Sequence, residues 1–259
     1  MKINKLFDIT TKKILITGAS QGSGKIIARS LLENGAKVIL TDKSILSLKK
    51  AFPISKYNKK QFFLFASDLS KSKSIQKLCD YIHKDHDDLS AIINNAGITK
   101  PNKLNNYTDK DWELTYQINL KAPFLIVRKL LKLLIKNKKF NPSIINITSL
   151  NSALAFPDNP AYVASKGGLS QLTKSLATDL GKFNIRCNSV APGYIKTNMT
   201  SKSYLSPNKK KLISSKTMLN RWGKSDDLVG VIIFLISDAS IYITAQNIFV
   251  DGGWSYKGL

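Results

Sequence analysis

The chain has 259 residues and a formal net charge of +23 at pH 7. A chain of this length suits one large α/β domain and buries enough apolar surface to fold without disulfides or a structural metal. Its two cysteines, Cys79 and Cys187, are far apart and form no CxxC pair, which excludes a disulfide framework and fits a reducing compartment.

Residues 13–17 (KILIT) read as a buried strand, and residues 22–34 as a helix closed by Gly35. Residues 38–41 and 62–66 are the next two strands. Residues 70–86 carry Ile75, Leu78, Cys79 and Ile82 at helical spacing, and residues 89–94 form a fourth strand. A long helix is predicted over 109–137, kinked or interrupted at Pro123. Residues 143–148 (SIINIT) are a fifth strand, 161–181 a helix with Gly181 at its end, and 185–190 a sixth strand. A helix near 226–237 precedes a short seventh strand at 247–250. This alternation predicts an α/β fold: one domain over 1–259, with a seven-stranded parallel sheet flanked by helices. The irregular stretch 192–220 follows a strand's C-terminal end, where open α/β sheets bind ligands, and is expected to be a mobile substrate lid.

The positive charge is spread along the whole chain. There are four arginines, Arg29, Arg128, Arg186 and Arg221, and arginine is the usual residue for bidentate phosphate contacts. A nucleic-acid footprint should be a localised basic patch, so a solvated lysine surface is the preferred reading and a nucleic-acid partner is disfavoured. The N-terminal MKINKLFDITTKK lacks the apolar core of a signal peptide. The apolar run 228–236 is far shorter than the roughly 18 residues a membrane span needs, and 122–135 is broken by Arg128, Lys129 and Lys132. The expectation is a cytoplasmic protein without a membrane segment.

Between the first strand and the first helix lies TGASQGSG, with Gly18, Gly22 and Gly24 in a GxxxGxG pattern. Glycines there let the backbone approach a pyrophosphate, and the helix N-terminus supplies N–H donors and a positive dipole. Asp42 ends the second strand. An acidic residue at that place hydrogen-bonds the adenosine ribose hydroxyls and repels a 2′-phosphate. NAD is therefore favoured, with NADP the alternative because Lys43 and Lys25 offset part of the repulsion. Gln21 adds no cation.

Tyr162 and Lys166 stand one helical turn apart in YVASK, on one helix face. A tyrosine hydroxyl is too weakly acidic to exchange protons near neutrality, and a neighbouring ammonium is expected to lower its pKa. Alone, such a pair is common on a lysine-rich surface. Ser149 closes the fifth strand, Asn119 lies in the long helix, NNAG (Asn94–Gly97) closes the fourth strand, and PGYIKT (Pro192–Thr197) closes the sixth.

With these motifs in this order and spacing, the sequence resembles the short-chain dehydrogenase/reductase family over essentially its whole length. The resemblance implies a Rossmann-type doubly wound fold and an oxidoreductase that interconverts a secondary alcohol and a ketone. It implies Tyr162 as general acid/base, and Lys166 as a ribose ligand that lowers the Tyr162 pKa. Ser149 would hold the substrate oxygen, and Asn119 would anchor a water relaying protons from Lys166. Gly18, Ser20, Gln21, Gly22, Ser23 and Gly24 would line the pyrophosphate. Asp68 and Leu69 would lie at the adenine, and Asn95, Ala96 and Gly97 at the adenine ribose. Pro192, Gly193, Ile195 and Thr197 would lie at the carboxamide end. Ser23 departs from the usual Ile or Leu; the position presents backbone, so little effect on catalysis is expected.

Gluconate 5-dehydrogenases are similar at APGY, KT, MT, RWG and VDGG, which favours a polyol or sugar acid. The alternative is a 3-oxoacyl-carrier-protein reductase, whose acidic carrier would suit a basic surface near Lys138, Lys139 and Lys182. A scaffold that binds cofactor without turnover ranks lower, because the catalytic set is complete. A homo-oligomer, tetramer or dimer, is expected by resemblance. His83 and His86, at i and i+3, lack a third ligand, so no metal is expected. Trp112 and Tyr116 read as helix packing, and Trp254 and Tyr256 as bordering either the active site or a subunit contact.

Overall fold

A computed structural model describes residues 2–58 and 60–257. The elements begin with α1 (Ile3–Leu6), β1 (Lys13–Thr17), α2 (Gly22–Glu33), β2 (Lys37–Asp42), α3 (Ile45–Ala51), β3 (Phe62–Ala66), α4 (Ser72–Asp85) and β4 (Leu89–Asn94). They continue with α5 (Asp109–Tyr116), α6 (Ala122–Lys136), β5 (Ser143–Ile147), α7 (Pro160–Leu180) and β6 (Arg186–Pro192). The last are α8 (Ser201–Leu205), α9 (Pro207–Ser215), α10 (Val229–Ile236) and β7 (Asn247–Val250).

The strands pair in parallel in the order β3-β2-β1-β4-β5-β6-β7. Side chains alternate between two cores. Ile14, Ile16, Val38 and Leu40 pack on one face against Ile27 and Leu31 of α2 and Ile232 and Leu235 of α10. Leu15, Ile39 and Ile92 pack on the other against Leu78 of α4, Leu130 of α6 and Leu176 of α7. A parallel strand covered on both faces needs an unbroken apolar run, which is why KILIT is buried along its length. The strand order reverses between β1 and β4. That opens a crevice at the C-terminal ends of the strands.

The predicted helix over 109–137 is interrupted just before Pro123. Pro123 sits in the first turn of α6, but helical backbone precedes it, so it has no N–H to give the carbonyl of Asn119 four residues before. The break is a π-helical turn, Gln117–Lys121, with Asn119 buried inside it. Gly181 keeps right-handed backbone at φ −55°, and the left-handed residue that ends this segment is Asn184 at φ 58°. The stretch predicted as irregular, 192–220, holds α8 and α9. These helices have only 5 and 9 residues, too short for a helical period to stand out. The short α1 and α3 carry equally little periodicity and were not foreseen.

Candidate active site

The glycine turn is braced from both sides of the switch point. Gly18 and Gly22 take φ values of 68° and 55°. A Cβ at Gly24 would lie 2.2 Å from the Gly18 carbonyl oxygen and 2.3 Å from Asn95 Nδ2, so no other residue fits there. Asn95 Nδ2 donates to the carbonyls of Thr17 (2.8 Å) and Gly18 (3.2 Å), while Thr17 Oγ1 accepts from the N–H groups of Asn95 and Ala96. Asn95 thus staples the end of β4 to the turn. From β2, Asp42 Oδ2 accepts from Ser20 N (3.0 Å) and Ser20 Oγ (2.8 Å). Gln21 makes no side-chain cap on α2, which leaves the first N–H groups of that helix open to an anion. The uncapped helix start and the Cβ-free cradle together fit a pyrophosphate.

Ser23 does more than present backbone. Its hydroxyl pairs with that of Ser225 at 3.2 Å and ties α2 to the turn before α10. Past β3, Asp68 Oδ1 accepts from Ser70 N and Ser70 Oγ, and Lys43 Nζ lies 3.3 Å from Asp68 Oδ2. Burial opposes ionisation of Asp68, but the Ser70 hydrogen bonds and Lys43 outweigh it and hold the carboxyl below its ordinary pKa. The Leu69 carbonyl accepts from Gln117 Nε2 at 3.5 Å, which brings the π-helical turn to the end of β3.

Helix α7 is anchored by a buried polar chain that sequence reasoning did not find. Asn94 Nδ2 donates to Asn146 Oδ1 (2.8 Å), and Asn146 Nδ2 donates to Thr173 Oγ1 (2.9 Å). The signal was present as an asparagine in each of two otherwise apolar strands. This chain links α7 to β4 and β5 and fixes the height of Tyr162 and Lys166 over the sheet.

Lys166 is 3% exposed, and its ammonium donates to the Ile147 carbonyl at 2.7 Å. Burial pushes its pKa down to about 8. Its Nζ lies 5.7 Å from the centre of the Tyr162 ring. Asn119 and Lys166 meet at Gly97, where a Cβ would lie 3.4 Å from both Asn119 Oδ1 and Lys166 Nζ. Asn119 Oδ1 accepts from Ile98 N (2.9 Å), and its Nδ2 donates to Ile98 O (3.0 Å) and Ser165 Oγ (3.1 Å). Ser149, just past β5, shares hydrogen bonds with Asn151.

The Tyr162 pKa is raised rather than lowered. Burial raises the Tyr162 pKa, and nearby Tyr194 raises it further, while the Ser149 hydroxyl beside it only partly offsets them. Desolvation of the phenolate outweighs an ammonium that is turned toward the Ile147 carbonyl.

The sixth strand completes the crevice. Gly193 N donates to Val250 O, and Ile195 bridges Gly223 in parallel through Tyr194 O and Lys196 N. That bridge turns the N–H and C=O of Ile195 away from Gly223, and Thr200 Oγ1 donates to this carbonyl at 2.6 Å. Thr197 leans toward the glycine turn, 3.9 Å from where a Gly22 Cβ would lie. Tyr194 packs 6.3 Å from Phe156 and 5.2 Å from Trp254, so Trp254 borders the site, whereas Tyr256 is exposed. Elsewhere, His83 Nε2 pairs with the Lys129 carbonyl, while His86 lies among Phe63 and Tyr81. Trp112 and Tyr116 stack on each other at 5.0 Å, with Trp112 exposed rather than packed inside.

A glycine-lined cradle at the switch point, with the partly buried Tyr162 and the buried Lys166 and Asn119 beside it, defines a dinucleotide-dependent oxidoreductase. The family model described as enoyl-(acyl carrier protein) reductase matches residues 18–255. The chain belongs to the short-chain dehydrogenase/reductase family, whose members use NAD(P) to interconvert CH–OH groups and ketones. It is similar to 5-keto-D-gluconate 5-reductase of Escherichia coli K12, at 30% identity covering 97% of this chain and 98% of that protein. It is also similar to 3-oxoacyl-[acyl-carrier-protein] reductase of Buchnera aphidicola, at 38% identity covering 98% of each chain. Among solved structures, gluconate 5-dehydrogenase from Burkholderia cenocepacia, in complex with NADP and tartrate, superposes with a TM-score of 0.91. That match has 28% identity and covers 99% of this chain and 100% of the other. Among the described residues no helix is long and apolar enough to cross a membrane.

Proposed function

We propose that this enzyme reduces the ketone of a small polyhydroxy acid, and oxidises the corresponding alcohol, in the manner of the 5-keto-D-gluconate reductase and gluconate 5-dehydrogenase it resembles. The observation that carries the reading is the convergence of Ser149, Tyr162 and Lys166 on one crevice whose other wall is the glycine cradle. Gly18, Gly22 and Gly24, with the open N–H groups of α2, would hold the pyrophosphate. Asp42 would take the adenosine ribose. Lys43 leans on Asp68 rather than on Asp42, which weakens its offset of a 2′-phosphate and favours NAD over NADP. Asp68, Leu69 and Ala96 would line the adenosine end, and Pro192, Gly193, Ile195 and Thr197 the carboxamide end. Asn95 acts through the turn it staples. When bound, the nicotinamide supplies or accepts the hydride.

The protein contributes orientation and one proton. Ser149 Oγ would hold the substrate oxygen. Tyr162, kept protonated by burial, would give its proton to that oxygen in reduction and take it back in oxidation. Lys166 would bind ribose hydroxyls, and the π-helical turn at Asn119 would anchor the water that resupplies the proton. The 192–220 segment, with α8 and α9, is the substrate lid. The single domain assembles as a homo-oligomer in the cytoplasm, where two buried free thiols are stable.

The second reading is a 3-oxoacyl-carrier-protein reductase, supported by the Buchnera relative and the basic surface. Steady-state nicotinamide absorbance with 5-ketogluconate, other ketoses and a 3-oxoacyl thioester separates the two. Turnover of 5-ketogluconate well above the thioester is expected, and the reverse order would sink the sugar-acid reading.

A further inference from the structure

Lysines are scattered over this protein, but three of them converge with an arginine on one concavity. A cavity of about 610 Å³ lies between α2, the exit of β6 and the lid helices, and Lys196, Lys210, Arg221 and Lys224 line it. That volume is in the range of small-molecule sites. The one carboxylate on its wall is Asp226. Arg221 is spoken for, in a two-pronged pair with Asp227 at 2.7 and 3.0 Å. Among the described residues no carboxylate ion-pairs with Lys196, Lys210 or Lys224. Lys196 and Lys210 are also held in place. Their ammonium groups sit 4.5 and 4.8 Å from the centre of the Tyr204 ring, so one aromatic of α8 positions two cations from two other elements. Trp222 forms part of the wall, and its indole N–H donates to the Lys210 carbonyl at 3.1 Å.

This cavity is separate from the dinucleotide crevice. Residues 196 and 197 are adjacent, and Thr197 is extended (φ −143°, ψ 175°). Successive side chains in extended backbone point to opposite sides. Thr197 leans toward Gly22, so Lys196 projects away from it into the cavity. Four cations face one carboxylate, Asp226, around this open hollow, and the excess positive charge raises the local potential and concentrates anions.

We propose that this cavity is a second binding site, for a small phosphorylated anion, and that its occupant joins the lid helices α8 and α9 to the body of the enzyme. Its walls come from both, so bound phosphate oxygens would bridge Lys196 and Lys210 of the lid segment to Lys224 in the turn before α10.

The test uses protein saturated with NAD, so that the pyrophosphate cradle is filled. Inorganic phosphate and pyrophosphate are titrated at constant ionic strength, followed by tryptophan fluorescence and calorimetry. Saturable binding of one equivalent is expected. The Lys196→Gln/Lys210→Gln variant should weaken it at least tenfold, while a control, Lys73→Gln/Lys77→Gln on the exposed face of α4, should leave it unchanged. Circular dichroism verifies the fold, and Lys224→Gln provides the same readout if the double variant does not fold. No saturable binding overturns the proposal, as does binding that survives the lysine changes or is lost equally in the control. Hydrogen exchange of residues 201–215 should slow when pyrophosphate is bound; binding without that protection would overturn the bridging role.

Discussion

Lys166 is a buried ammonium whose cost can be read from the structure and measured apart from catalysis. Its ordinary pKa of 10.5 falls to about 8 in the folded chain. At about 1.36 kcal/mol per pH unit, the charged form costs roughly 3 kcal/mol of folding stability near neutrality. The sign follows from proton binding. Between the two values the unfolded chain holds this proton and the folded chain does not, so stability rises with pH, by about 2 kcal/mol from pH 7 to 9.5. Lys166→Met keeps the length of the side chain and removes the charge. It also strands the Ile147 carbonyl, a loss of about 1 kcal/mol. Without dinucleotide, the variant should be about 2 kcal/mol more stable than wild type at pH 7, and that advantage should vanish by pH 9.5. Urea unfolding at a series of pH values measures both. The other lysines cancel in the difference between the two proteins. A difference that stays flat with pH would refute the buried-charge argument. A stabilised variant without turnover would show that the enzyme tolerates strain at this position for the sake of its chemistry.

Three further outcomes follow from the same geometry. Gly24→Ala places a methyl against the Gly18 carbonyl and should abolish NAD binding while lowering the melting temperature, as titration calorimetry and thermal unfolding would report. Asn119→Ala strands both polar groups of the partly buried Ile98 backbone and should cost about 2–4 kcal/mol in denaturant unfolding; a loss under about 1 kcal/mol would contradict the anchoring role. Asp42→Ala removes the carboxylate expected at the ribose, so the ratio of kcat/KM for NAD over NADP should fall about tenfold or more, and an unchanged ratio would move cofactor choice elsewhere.

The sheet was legible because buried parallel strands are mostly apolar, and KILIT, SIINIT and LSAIIN are short apolar runs interrupted only by a few polar residues. The glycine turn was legible because backbone conformation and close approach leave few residues to choose from. Other features depend on partners distant in sequence. The hydroxyl pair of Ser23 and Ser225 spans 202 positions, and nothing local to Ser23 announces it. Pro123 signals an interruption of the long helix but not its form, a π-helical turn that buries Asn119. The direction of the Tyr162 pKa is equally hidden from local sequence. The i, i+4 spacing shows that Lys166 is near, but not that its ammonium is engaged by Ile147 or that burial outweighs it. Short helices such as α3 and α8 bury too few side chains to leave a period in the sequence.

The central claim is that Tyr162 transfers the proton in an NAD(P)-dependent reduction. Steady-state nicotinamide absorbance with 5-ketogluconate, beside NAD binding by fluorescence, tests it in Tyr162→Phe. The account predicts a loss of turnover of about a hundredfold or more, with NAD affinity held within about twofold. Near-normal turnover in Tyr162→Phe would contradict it.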